Sequence, residues 1–201
     1  MARKTKPRTY HHGDLREALV AAGTALVEEG GVAAFTLREC ARKAGVSHAA
    51  PKNHFASVEV LIAEIAARGY EDFHAALDAA TELAEQTPGH RLVAMGHAYV
   101  AFARARPGVF GVMFRRSRVD LGKTPHLEQA SRAAWLQLVA AVTAVIGPGR
   151  EDTNLKAAHV WSLVHGIANL VIDKRLPANV SVEDLLTACL EPLPDILTAV
   201  G

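Results

Sequence analysis

The sequence predicts an all-α protein in two parts: a small N-terminal unit of three helices, and a larger helical body. Three observations predict it. Half of the 201 residues are hydrophobic while aromatics make up only 5%, and the apolar content is mostly Ala and Leu, which favours helices over strands. Apolar residues recur at helical spacing along most of the chain, and no strand-type alternation extends beyond a few residues. Gly- and Pro-rich breaks fall at Gly30-Gly31, Thr87-Pro88-Gly89, Pro107-Gly108 and Gly147-Pro148-Gly149, where a helical pattern has to stop.

Residues 1–11 form a basic arm holding Arg3, Lys4, Lys6 and Arg8 with no core-forming run. It reads either as an arm that reaches phosphates or a minor groove, or as a solubilising tail. From His12 to Glu29, Leu15, Leu19, Ala22 and Leu26 mark one face of a helix that ends at Gly30-Gly31. Thr36 is a suitable N-cap for a second helix. Glu39 three residues on completes a capping box, and Phe35 with Cys40 forms a hydrophobic staple. Ala44-Gly45 ends that helix, Val46 plugs the turn, and Ser47 caps a third helix that carries His48, Ala49, Ala50, Lys52, Asn53 and His54 before Phe55 returns to the core. Pro51 stands about one turn after the Ser47 cap, where its missing N–H costs at most the first intrahelical bond. Two short helices about a Gly turn, with a polar second helix, are the helix-turn-helix arrangement that places that second helix in the DNA major groove.

This stretch resembles the DNA-binding domain of TetR-family transcriptional regulators from Tyr10 to Leu61. The resemblance rests on Gly30-Gly31, Thr36-Leu37-Arg38-Glu39, Ala44-Gly45-Val46-Ser47, and His54-Phe55 followed by Glu59 and Leu61. It implies DNA contacts from Thr36, Arg38, Ser47, His48, Ala49, Lys52, Asn53 and His54. By side-chain chemistry Asn53 suits an adenine edge and His48 or Lys52 a guanine; the alternative is that some of them touch phosphate only. The chain departs from the family pattern at Lys52, where a Tyr usually meets a phosphate, and at Val58, where the family usually has Lys. Charge distribution agrees with a phosphate-binding head: residues 1–55 hold nine Lys and Arg against five Asp and Glu, the rest thirteen against sixteen.

A domain boundary is expected after residue 57, giving a DNA-binding domain over 12–57 and a regulatory and dimerisation domain over 58–201. Ser57 caps a long helix from Val58 to Leu83, the obvious lever between the two. Further helices are expected at about His90–Arg106, over two turns from Val109 to Phe114, at Pro125–Ile146, at Asp152–Arg175 and at Val182–Val200, the last kinked or split by Pro192 and Pro194. Arg115, Arg116 and Arg118 read as a solvated surface or an anion site. Trp161, His165 and Gly166 resemble the C-terminal domain of one TetR subgroup, with Gly166 allowing close approach of another helix. In the family the last two helices pair with their copies in a four-helix bundle; the alternative is that they complete a monomer core.

The resemblance also implies a small-molecule effector among the helices after Pro88, with Tyr99, Phe102, Phe110, Met113, Phe114, Trp135, Trp161 and His165 as candidate lining. The same apolar aromatics also suit plain core, and an apolar or aromatic effector matches them. No metal or cofactor is expected: ten scattered histidines make no ligand pattern, and His97 and His165 sit on mostly apolar helices. No Gly-rich phosphate loop, His-Glu-x-x-His, Cys-x-x-Cys or Gly-x-Ser-x-Gly occurs. Cys40 and Cys189 are expected as buried thiols of a cytoplasmic protein, and no apolar run reaches the roughly 18 residues of a membrane span. The expected function is therefore a homodimeric repressor of double-stranded DNA, released by a small molecule and not an enzyme. An activator or ligand-independent DNA binder shares the same head, and an all-α enzyme or metal sensor is the remote alternative.

Overall fold

The computed structural model describes residues 12–32, 35–84, 87–114 and 124–199. The basic arm, His11 and the cluster of Arg115, Arg116 and Arg118 lie outside them. In chain order the elements are α1 (His12–Gly30), α2 (Leu37–Lys43), a 3₁₀ turn (Ala50–Asn53), α3 (Val58–Leu83), α4 (Pro88–Ala105), α5 (Pro107–Phe114), α6 (Pro125–Ile146), α7 (Thr153–Ile172), α8 (Val182–Leu190) and α9 (Leu193–Ala199). No strand occurs among the described residues, in keeping with the predicted all-α class.

In α1, Leu19, Val20 and Val27 are buried and Leu15 and Leu26 pack against them. α2 begins at Thr36, whose side chain accepts from the Glu39 N–H at 3.2 Å. Only this half of the capping box forms, because the Glu39 carboxylate is taken by Arg42 Nε at 3.0 Å. Phe35 and Cys40 are both buried, and the Cys40 thiol donates to the Leu19 carbonyl of α1 at 3.1 Å. Burial raises that thiol to about 11, so it stays protonated and inert at neutral pH. The helix closes with the Val46 N–H on the Ala41 carbonyl and the Gly45 N–H on the Arg42 carbonyl. Gly45 sits at φ +69°, the left-handed position that this closure requires.

The third helix differs from expectation. Residues 47–54 do not form an α-helix capped by Ser47; they form a turn and a four-residue 3₁₀ element with no side-chain cap. An α-helix starting at Ser47 would need residue 51 to donate to the Ser47 carbonyl, and Pro51 has no N–H. The Ser47 carbonyl instead accepts from Ala50, one residue earlier, at 3.0 Å, and Pro51's own carbonyl then takes His54 and Phe55. Pro51 and Phe55 are buried and pin the element from beneath.

α3 runs from beneath α1 into the body. Leu61, Ile62 and Ile65 are buried near its start and Tyr70, Phe73 and Leu77 further along, so one helix of about 39 Å serves both ends of the molecule. The other boundaries follow local stops. Pro107 begins α5 immediately after α4, since the residue before a proline is driven out of helical conformation. α7 ends at Ile172 and does not reach Arg175: Lys174 turns left-handed at φ +54° and Arg175 N–H returns to the Leu170 carbonyl at 2.9 Å. The last predicted helix is split at Pro192 into α8 and α9. By length and composition α6 and α7 are each apolar enough to cross a membrane, although no uninterrupted apolar run is that long; helices covered by neighbours or by another subunit pass the same test.

An ion cluster joins α1 to α3 and α6. Glu64 on α3 receives Arg16 of α1 at 2.9 Å, Arg68 at 3.2 Å and His126 of α6 at 3.3 Å. His126 also meets Glu71 at 2.9 Å, and Arg68 reaches Glu17. Burial alone would raise the Glu64 carboxyl, but the hydrogen bonds from Arg16 and His126 override it and hold the group down at about 2. The Glu71 hydrogen bond, against burial, raises His126. The two shifts have opposite signs for stability. Glu64 contributes fully above its unfolded pKa, about 4.5, and loses this as pH falls toward 2; His126 contributes fully below about 6.5 and loses this as pH rises through its raised value. The melting temperature is therefore expected to be highest between about pH 4.5 and 6.5. Replacing Glu64 with Gln should flatten the acid limb in a thermal scan across pH and leave most of the alkaline limb, which Glu71 sustains through His126; an unchanged acid limb would place that pH dependence elsewhere.

Candidate nucleic-acid interface and effector cavity

The eight residues singled out as DNA contacts lie on one short length of chain: the start of α2, the turn after it, and the 3₁₀ element. Thr36, Arg38, Ser47, His48, Ala49, Lys52 and Asn53 are exposed, and His54 is half-buried. The side chains that hold this surface face the other way. Phe55 is 1% exposed, with the Arg16 guanidinium 5.3 Å above its ring. The outcome is a small polar surface with amide- and imidazole-bearing side chains and a lysine, mounted on a hydrophobic base shared with α1 and α3. Such groups can contact phosphate oxygens and base edges. Arg42, next to them, is engaged by Glu39.

A second feature lies between α3, α4, α6 and α7: a cavity of about 340 Å³, within the range of small-molecule sites. Of the eight predicted lining residues, Tyr99, Phe114, Trp135 and Trp161 face it. Phe102, Phe110, Met113 and His165 are outside the lining; the first three are buried in the core. The sequence reading missed Tyr70, Phe73 and Leu77 of α3, Leu92 and Met95 of α4, and Glu128, Ser131 and Arg132 of α6. The α3 and α4 residues carried only a core signal, and the three polar residues carried none. Rings dominate the walls: Phe73 and Tyr99 meet edge to face at 5.1 Å, Tyr70 and Phe114 at 5.6 Å, and Trp135 and Trp161 at 6.2 Å.

The polar groups at the inner wall are already paired. Trp161 Nε1–H donates to the Tyr99 hydroxyl at 3.3 Å, and that hydroxyl lies 2.8 Å from His165 Nδ1. Burial lowers His165, so the ring is neutral at pH 7. Tyr99 then donates to Nδ1 and the ring proton sits on Nε2. Burial, against the Trp161 hydrogen bond, raises the Tyr99 phenol, so it too stays neutral. The inner cavity is thus uncharged, and its charged groups, Glu128 and Arg132, stand on the exposed side of α6. Among the described residues no group of three His, Cys, Asp or Glu could hold a metal ion.

A head with this motif on a helical body enclosing an apolar cavity defines a DNA-binding regulator. Residues 92–193, half of the chain, match the family described as Tetracyclin repressor-like, C-terminal domain. A protein of unknown function from Rhodococcus sp. RHA1 is 34% identical over 96% of this chain and 100% of its own, with a TM-score of 0.83. A TetR-like transcriptional regulator from the same organism is 15% identical over 96% and 100%, at TM-score 0.69. The TetR-family regulator PfmR from Thermus thermophilus is 20% identical over 88% and 97%, at 0.66. No curated protein matches significantly. The chain belongs to the TetR family of transcriptional regulators, DNA-binding proteins rather than enzymes.

Proposed function

We propose that the protein is a cytoplasmic transcriptional repressor that binds a palindromic operator as a homodimer and leaves it when a small, largely apolar molecule enters the body. Residues 12–57 read the DNA, the basic arm over 1–11 adds phosphate contacts, and 58–201 bind the effector and dimerise. Thr36, Arg38, Ser47, His48, Ala49, Lys52, Asn53 and His54 supply the contacts, with Asn53, His48 and Lys52 aimed at bases.

The observation that carries the reading is the pairing of an exposed polar surface after α2 with an aromatic-walled cavity joined to it by one helix, α3. Dimerisation is supported by a stripe on α7 that holds no Lys, Arg, Asp or Glu: Leu155, His159, Ser162, Gly166 and Leu170 recur at helical spacing and are all exposed. Gly166 has open space where a Cβ would stand, so a partner helix can approach there. Ile196 of α9 and Leu136 of α6 are also exposed apolar residues. A twofold dimer places its two reading elements about one DNA turn apart, roughly 34–36 Å, or somewhat more. Release requires that the effector bind the DNA-incompetent arrangement more tightly than the competent one.

The test is selection of sites from random duplexes with the full chain, followed by a salt titration of the enriched site. A palindrome bound by two chains, with affinity falling steeply as salt rises, is the expected result. Absence of any enriched sequence would refute specific reading, and a single non-repeated half-site would refute the dimer. Displacement of the selected duplex is then screened with aromatic and acyl compounds sized for the cavity; failure of all of them would favour a ligand-independent binder.

A further inference from the structure

α5 touches both functional parts. At its N-terminal end the backbone N–H groups of Gly108 and Val109 donate to the two carboxylate oxygens of Glu28, at 2.8 and 3.1 Å. Glu28 belongs to the last turn of α1, the helix on which the reading surface is mounted. Arg106 closes the same corner, 3.7 Å from Glu28 and paired with Asp72 of α3. Beneath this cap the backbones meet: a Cβ on Gly108 would stand 2.2 Å from the Val27 carbonyl oxygen and 2.7 Å from Glu28 Cα. At its other end α5 is held by the Tyr70 hydroxyl, which donates to the Met113 carbonyl at 3.0 Å. Its last residue, Phe114, lines the cavity. Between the ends the helix lies on Gly69 of α3, where a Cβ would come within 2.6 Å of Val109.

A two-turn helix of about 12 Å, held at both ends, moves as a unit. A displacement at Phe114 therefore reaches Glu28. We propose that α5 carries the occupancy of the cavity to the DNA-reading head, and that Glu28 is the positioning residue through which it acts. The proposal rests on the effector reading given above. Glu28 touches neither DNA-contacting residues nor the cavity, so its loss should leave both sites formed and remove their coupling. α3 also joins the two parts, but its run of buried residues is continuous, whereas the Glu28 contact is a discrete polar latch that can open.

The test needs no ligand. Ala134 lines the cavity, and Ala134→Trp serves as a built-in occupant. Affinity for the selected duplex is measured by fluorescence anisotropy for the full-length wild type, Ala134→Trp, Glu28→Ala and the double variant, with hydrogen exchange read over residues 24–32. Ala134→Trp is expected to weaken binding at least about tenfold in the wild-type background and less than about twofold with Glu28→Ala. Glu28→Ala alone should stay within about threefold of wild type, and Glu28→Gln, which keeps one acceptor, should restore part of the response. Exchange over 24–32 should rise with Ala134→Trp only when Glu28 is present.

An equal loss in both backgrounds would overturn the proposal, since the signal would then bypass Glu28. No loss in the wild-type background would overturn it as well. If Ala134→Trp does not fold, Ser131→Phe fills the same cavity and is read by the same criteria. Because the cycle uses no effector, coupling through Glu28 with no displacing compound would sink the effector reading alone. Displacement by a compound, with additive substitutions, would sink this proposal alone.

Discussion

Replacing Gly108 with alanine is expected to destabilise the protein by about 3 kcal/mol or more, while the same change at Gly111, three residues along α5, stabilises it by about 0.5–1 kcal/mol. The two glycines share a helix and differ only in what lies beside them. A Cβ at Gly111 meets nothing within 4 Å, so alanine there only removes unfolded-state freedom. A Cβ at Gly108 meets the carbonyl and Cα of α1, and no rotamer change can move a backbone aside. Relief requires α1 and α5 to part, which also breaks both hydrogen bonds to Glu28. Urea denaturation of the two variants checks this. Gly108→Ala within about 1 kcal/mol of wild type would mean that the α1–α5 contact yields readily, and would weaken the case for α5 as a rigid connector.

The second large effect is expected on DNA. Asn53→Ala should weaken the selected operator by about 2–6 kcal/mol over two half-sites, a loss of roughly thirtyfold or more, with little change on random duplex. Lys52→Ala removes a positive charge along with its base contact, so it should weaken the selected operator, also weaken random duplex, and reduce the salt slope by about one unit per half-site. Competition binding with selected and random duplexes at several salt concentrations separates the two patterns. A loss confined to the selected duplex in Lys52→Ala and shared by both duplexes in Asn53→Ala would leave base reading to Lys52 and give Asn53 a phosphate contact. Equal affinity of both variants and the wild type would take the 3₁₀ element out of the interface.

The elements that can be read from sequence are those whose ends are set locally. Ser57 fixes the start of α3, and Pro125 and Gly147 fix the two ends of α6, so both helices fall where the spacing places them. The 3₁₀ element shows the limit of local reading. Pro51 is tolerable in a first turn by rule, but here it removes the bond that would nucleate a helix of barely two turns, and nothing remains to offset the cost of nucleation. Lys174 is equally hidden, since a left-handed lysine has no sequence signature comparable to glycine. Tyr70, Phe73 and Leu77 are legible as an apolar stripe but not as cavity wall. A stripe looks the same whether it faces side chains or a gap; the gap arises from how four helices fit together. The contacts of Glu28 with Gly108 and of Glu64 with His126 join residues far apart in sequence, and no periodicity announces them.

The buried proline has one more consequence. Because Pro51 fixes its own φ and is packed from below, the proposed reading element is ordered as part of the fold, and its ordering entropy belongs to folding rather than to association. The heat-capacity change of operator binding then reflects the area of the interface, without the larger change that accompanies folding on contact. Operator binding through this element would be the meeting of two finished surfaces.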